Sequence, residues 1–309
     1  MSRIHEALKK AAQERNAQTA TRSVSELVDL SEREVLIETP QAAEARQAEI
    51  APPLQKISPS ASKFTDFVKR CQPANWKMEH SASVFSSRVE HQAGAEKFRT
   101  LRSRLYQIST AQPLKRILIT SSTPAEGKTF VAANLAESFI RQNDRRVLLI
   151  DSDLRASRLH LHLGAPEKPG LSDYLRGDCD EFQITQVGVG GNLCFIAGGS
   201  DVTNPSELLH SDRMKQLLSR MSQLFDWIIL DSPPALAVHD ASVLADMCDG
   251  VLFVVRAGST DYQLAARASA EFHEKNLLGV VLNRVDKSDA YGEYYYGYEH
   301  GKGDQGTEK

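Results

Sequence analysis

"RILITSSTPAEGKTF", residues 116–130, runs an apolar strand-like stretch straight into a phosphate-binding spacing. Ser122, four residues, then Gly127, Lys128 and Thr129 match the pattern G-x-x-x-x-G-K-[ST], with Ser122 in place of the usual first glycine. The chemistry accounts for the spacing. The loop residues Ser122, Thr123, Pro124, Ala125, Glu126, Gly127 and Phe130, all but proline through their backbone N–H groups, form with the N-terminus of the helix that follows a cradle for phosphate oxygens. Lys128 reaches the β- and γ-oxygens and the Thr129 hydroxyl is a ligand for Mg²⁺. A strand before the loop and a helix after it are the context such a site needs, and both patterns are present.

Working outward, five more apolar runs share the character of "RILITS": "VLLID", "LCFIA", "WIILD", "VLFVV" and "GVVLN". They are rich in Ile, Leu and Val without alternation, as strands buried on both faces are. Amphipathic stretches such as "GKTFVAANLAESFIRQN" and "PSELLHSDRMKQLLSRMSQL" separate them. This alternation predicts an α/β fold of the P-loop NTPase type, a mostly parallel sheet with helices on both faces. Ligands of such sheets bind at the carboxyl ends of the strands. There "VLLIDSDLR" delivers Asp151 and Asp153, and "WIILDSPP" delivers Asp231. Mg²⁺ takes oxygen ligands and keeps several waters, so Thr129 with one or two carboxylates suffices, leaving one free to orient or deprotonate a hydroxyl.

The chain of 309 residues carries a formal net charge of -3 with acids and bases interspersed, which gives no broad footprint for nucleic acid. Four cysteines stand apart with no CxxC, which excludes a zinc or iron–sulfur motif and fits a reducing cytoplasm. No apolar run approaches the ~18 residues needed to span a bilayer. Three regions follow. Residues 1–84 read as an N-terminal amphipathic helix (about 2–16) and a flexible linker around "APPLQKISPSAS", in which Trp76 could pack on the domain edge. Residues 85–290 form the P-loop domain. Residues 291–309 form a disordered tail holding Tyr291, Tyr294, Tyr295, Tyr296 and Tyr298, whose spacing fits neither a buried helix face nor a strand.

The set "STPAEGKT", "LLIDSDLR", "NPSELLHSDRM", "DWIILDSPP", "DGVLFVVRAG" and "GVVLNRVD", followed by a tyrosine cluster, resembles the bacterial tyrosine kinases that autophosphorylate and control capsule and exopolysaccharide export. The resemblance covers roughly residues 94–298. Carried over by position, it implies MgATP as phosphoryl donor, Lys128 and Thr129 in the first Walker motif, Asp151 and Asp153 in a second, and Asp231 as Walker B. Asp151 is the first choice for general base, with Asp153 and Asp231 on the metal. The tail tyrosines become the acceptors, and Asn283 and Arg284, after the last strand, contact adenine. Ala125 stands where the family usually has glycine, and "DLRAS" replaces the common "DLRRP". The pattern Glu96, Arg99, Arg102 is similar to the family's oligomerisation motif and implies a ring of subunits when the tail is unphosphorylated; Phe98, Leu101 and Leu105 share a neighbouring face of that helix. A separate membrane-spanning activator, a tyrosine phosphatase and peripheral recruitment to the inner face of the cell membrane complete the expectation. A ParA/MinD-like switch ATPase is the alternative, although its signature lysine is replaced here by Thr123; a nucleotide-bound scaffold without catalysis is another.

Overall fold

The computed structural model of the chain describes residues 61–74, 76, 83–85, 92–142, 145–188 and 190–285. The amphipathic segment at 2–16 and the tyrosine cluster lie outside them. All six apolar runs are strands: β2 (Arg116–Ser121), β3 (Val147–Asp151), β5 (Leu193–Ile196), β6 (Trp227–Asp231), β7 (Gly250–Arg256) and β8 (Leu277–Asn283). With the short β1 (Gln72–Pro73) and β4 (Thr185–Val187) they form one sheet in the order β1-β4-β5-β3-β6-β2-β7-β8. Every pairing is parallel except β4 with β5.

Burial on both faces explains the lack of alternation in these runs. Leu118, Leu148, Ile150, Ile228, Leu230 and Phe253 join one core, and Ile117, Ile119, Leu149, Trp227, Ile229 and Val254 the other. The second core is closed by three helices, α2 (Gln92–Ala111), α3 (Lys128–Ile140) and α4 (Leu159–Leu163), through Leu105, Leu135, Phe139 and Leu163. Phe139 stacks on Trp227 at 4.3 Å and Tyr106 meets both rings edge-on. The first core is closed by α5 (Leu171–Arg176), α6 (Glu181–Ile184), α7 (Pro205–His210), α8 (Asp212–Met221), α9 (Asp240–Ala245) and α10 (Tyr262–Ala270).

The expected linker does not extend to residue 84. Ala61–Arg70 is a helix, α1, and Phe64, Phe67, Val68 and Cys71 fall at i, i+3, i+4 and i+7, so that one face can be buried. Phe64 and Phe67 both meet Phe225 edge-to-face, at 5.4 and 6.0 Å. β1 then pairs with β4, and the Ala74 N–H donates to the Val187 carbonyl. Trp76 is buried against Phe195, and a side chain at Gly188 would come within 2.6 Å of its ring. A composition average over this polar region hides four well-spaced apolar residues. Phe64→Ala and Trp76→Ala should each lower the unfolding free energy by about 3 kcal/mol in urea titrations, and a chain starting at residue 85 should melt below the full chain. Equal stability of that shortened chain would restore the linker reading.

Candidate active site

The phosphate loop leaves β2 at Ser121 and enters α3 at Lys128. Gly127 caps α3 at φ 94° with no side chain, so the helix's first N–H groups are left for a ligand. Ala125 lies at φ 66°, a left-handed conformation that glycine adopts more readily, and the loop holds it there with alanine. Any Cβ at Gly127 would sit 2.0 Å from Asn283 Nδ2. Ser121 Oγ donates to the Thr123 carbonyl, and the Thr123 N–H donates to the Glu126 carboxylate at 2.7 Å.

A cavity of about 1070 Å³ opens over this loop. Pro124, Ala125, Gly127, Lys128, Thr129 and Phe130 line it, and Asp153, Asn283 and Arg284 complete much of the wall. Ser122, Thr123 and Glu126 shape the loop from behind and are not on the wall. Asn283 donates from Nδ2 to the Glu126 carbonyl at 2.9 Å, so its amide is committed to the loop. Arg284 follows it at φ 55°.

Sheet register brings the carboxyl groups together. Asp151 and Asp231 are partners across β3 and β6, and Ile119 of β2 pairs with Asp231. Asp151 is fully buried and its oxygens accept from the Ser157 hydroxyl (2.8 Å) and from the backbone N–H groups of Asp153, Arg158 and Leu159. Asp153 reaches the wall, with Oδ2 3.4 Å from Lys128 Nζ and Oδ1 accepting from Ala156 N. Thr129 lies beside Asp231, whose Oδ1 is buried with no hydrogen-bond partner. Burial pushes both Asp151 and Asp231 above the ordinary carboxylate range, and in Asp231 the nearby Asp151 adds to the rise. The unpaired buried carboxylate oxygen beside Thr129 is of a kind a hard divalent cation takes, while no three acidic side chains among the described residues are grouped to ligate one by themselves.

The sequence reading missed a second tier. Arg155 lines the cavity and binds Asp240, the fully buried first residue of α9, through Nε at 2.8 Å, while Ser206 donates to the same carboxylate. Arg155 stands inside the quoted "VLLIDSDLR", but its partners lie 51 and 85 residues away and leave no local signal. The residues of the expected assembly motif all lie on α2. Glu96 and Arg99 are exposed and pair with each other at 2.7 Å, whereas Arg102 turns inward to the Ser138 carbonyl of α3. Phe98, Leu101 and Leu105 do share the buried face.

A parallel sheet with a phosphate loop and acids at its carboxyl edge defines a nucleotide-binding α/β domain, and residues 117–305 match the family described as CobQ/CobB/MinD/ParA nucleotide binding domain. Over 207 residues the chain is 36% identical to the tyrosine-protein kinase YwqD of Bacillus subtilis, covering 66% of this chain and 86% of YwqD. It is 36% identical over 203 residues to the tyrosine-protein kinase Etk of Escherichia coli, covering 64% of this chain but only 28% of Etk. The solved kinase domain of Escherichia coli ETK superposes with a TM-score of 0.58 at 34% identity, covering 64% of this chain and 80% of that one. The chain belongs to the bacterial tyrosine-protein kinases.

The raised value at Asp231 has a consequence for stability. As pH rises from the ordinary 3.8, the unfolded chain releases this proton before the folded protein does, so the unliganded fold loses stability until the raised folded value is passed. Asp231→Asn should therefore flatten the decline in melting temperature between pH 4 and 8 while abolishing stabilisation by Mg²⁺ with nucleotide. A variant whose pH profile overlays the wild type contradicts this assignment.

Proposed function

We propose that the protein uses MgATP to phosphorylate tyrosines of its own C-terminal cluster, Tyr291, Tyr294, Tyr295, Tyr296 and Tyr298, in the service of exopolysaccharide or capsule export. The observation that carries this reading is the Lys128–Asp153 contact on the wall of a phosphate-loop cavity, in a chain of the tyrosine-kinase family.

The residues divide the work as follows. Gly127, Lys128 and the N-terminus of α3 cradle the phosphates, and Lys128 neutralises charge that develops on the transferred group. Thr129 and Asp231 would hold Mg²⁺, which would supply further neutralisation of the β- and γ-phosphate oxygens when bound, leaving Asp153 off the metal. The phenol hydroxyl attacks phosphorus, the bond to the ADP oxygen breaks, and the phenol proton passes to a carboxylate. The resemblance makes Asp151 the first choice, yet its oxygens already serve four donors and it is not on the cavity wall. Asp153 faces the cavity and takes the proton, with Asp151 fixing it through the Asp153 N–H. Arg284 approaches the base of the nucleotide, and Asn283 acts there chiefly through the loop.

From Asn283 to Tyr295 is 12 residues, a span of at most about 40 Å, which allows a tail to reach a neighbouring subunit. A homo-oligomeric ring of unphosphorylated chains, a separate membrane-spanning activator at the inner face of the membrane and a tyrosine phosphatase that resets the tail complete the proposal. Each phosphotyrosine adds about -1.5 to -2 charges, which repels the tail from the acids and ATP and loosens the ring.

Incubation with ATP and magnesium, followed by mapping of phosphotyrosine by mass spectrometry, should find tail labelling in wild type and at least a hundredfold less in Lys128→Met. Equal labelling would falsify the autokinase reading, and phosphate release to water without labelled tyrosine would replace it with a switch ATPase. Because Arg102 also anchors α2 to α3, assembly is best tested with Glu96→Ala/Arg99→Ala: light scattering should show a smaller mass than for unphosphorylated wild type, at unchanged melting temperature. Identical masses remove the role of this pair.

A further inference from the structure

Glu126 occupies a position that the phosphate-loop pattern leaves open to any residue, yet it is 2% exposed and bound on three sides. One carboxylate oxygen accepts the Thr123 N–H at 2.7 Å, closing the turn in which Ala125 takes its left-handed conformation. The other accepts the hydroxyl of Thr260, in the loop between β7 and α10. Thr260 Oγ1 in turn accepts the Arg256 N–H at 3.2 Å, so its donor and one lone pair are both used and the chain of bonds ends in the β7 backbone. Asn283, at the end of β8, holds the Glu126 carbonyl. Glu126 itself is absent from the cavity wall, so the carboxylate meets the loop from behind and not the ligand.

We propose that Glu126 and Thr260 are positioning residues for nucleotide binding: they form a brace that fixes the phosphate loop in its binding conformation by tying it to the end of β7. The inference rests on reading the cavity as an ATP site. The physical reason is local. A non-glycine residue at positive φ is disfavoured by sterics, and the loop relaxes unless the surrounding structure over-determines it. Preorganised N–H groups bind phosphate without reordering, whereas a relaxed loop must be reordered each time, which weakens affinity for nucleotide while leaving transfer within the bound complex largely intact. Removing the Thr260 hydroxyl also leaves a buried carboxylate oxygen without its donor.

The test compares wild type, Thr260→Val and Thr260→Ser, titrated with a fluorescent ATP analogue and magnesium, with KM and kcat for tail labelling measured beside it and melting temperatures recorded without nucleotide. Thr260→Val should weaken analogue binding about tenfold and raise KM by a similar factor, with kcat within about threefold of wild type. Thr260→Ser, which keeps the hydroxyl, should bind within about twofold of wild type. The brace is overturned if Thr260→Val binds as wild type does, if Thr260→Ser binds as weakly as Thr260→Val, or if Thr260→Val lowers the melting temperature and kcat with affinity unchanged, the pattern of a merely structural contact. Should Thr260→Val fail to fold, Glu126→Gln is put through the same titration, and wild-type affinity in that variant overturns the proposal. Binding is read separately from labelling: a wild type that binds the analogue but labels no tyrosine refutes the kinase reading and leaves the brace standing, whereas a wild type that binds no analogue refutes both.

Discussion

Three carboxyl groups crowd one edge of a sheet that is buried on both faces. Parallel register sets Asp151 beside Asp231, and Asp153 follows two residues after β3 ends. Burial, with the neighbouring charge adding to it, raises the proton affinity of Asp151 and Asp231, so their pairing is unfavourable in isolation and asks for positive charge. Lys128 at 3.4 Å from Asp153 answers part of that demand, and the buried Asp231 Oδ1 is left without a hydrogen-bond partner. The position of the phosphate loop follows from the same register, because β2 lies between β6 and β7 and ends at the same edge. Electrostatics and topology therefore specify the site together, and a cation and a polyphosphate can relieve each other's charge there.

Rigid elements hold each part of this edge. Asp151 is saturated by the Ser157 hydroxyl and by amides around the start of α4, which orients the segment carrying Asp153 and Arg155. Arg155 is clamped by Asp240 and Ser206 from two helices of the opposite core. Contacts of this kind keep functional groups within the tolerances that chemistry demands, because each first contact is itself supported.

The strands and the loop were legible because their signals are local: runs buried on both faces lack alternation, and the loop spacing is read in eight residues. The acids were found for the same reason, as strand ends carry them. α1 was not legible, because Phe64, Phe67 and Val68 are set among Ser, Lys, Asp and Arg in a polar region, and their value appears only against Phe225 and Phe182. Thr260, Asp240 and Ser206 escaped because their partners are 34 to 134 residues away in sequence. The bond of Arg102 to the Ser138 carbonyl of α3 likewise leaves no local signal, since its partner lies 36 residues away. Asn283 lines the cavity, and its bond to the loop depends on a glycine at 127 that admits the amide.

The two margins of the sheet are finished differently. β1 is two residues long and ends in Pro73, which has no N–H to offer an incoming strand. β8 runs for seven residues, pairs only with β7 among the described residues, and leaves Val280 and Leu282 each 58% exposed. Among the described residues, therefore, a further strand could be added to the sheet at β8, whereas the other margin is terminated by a ring that cannot donate.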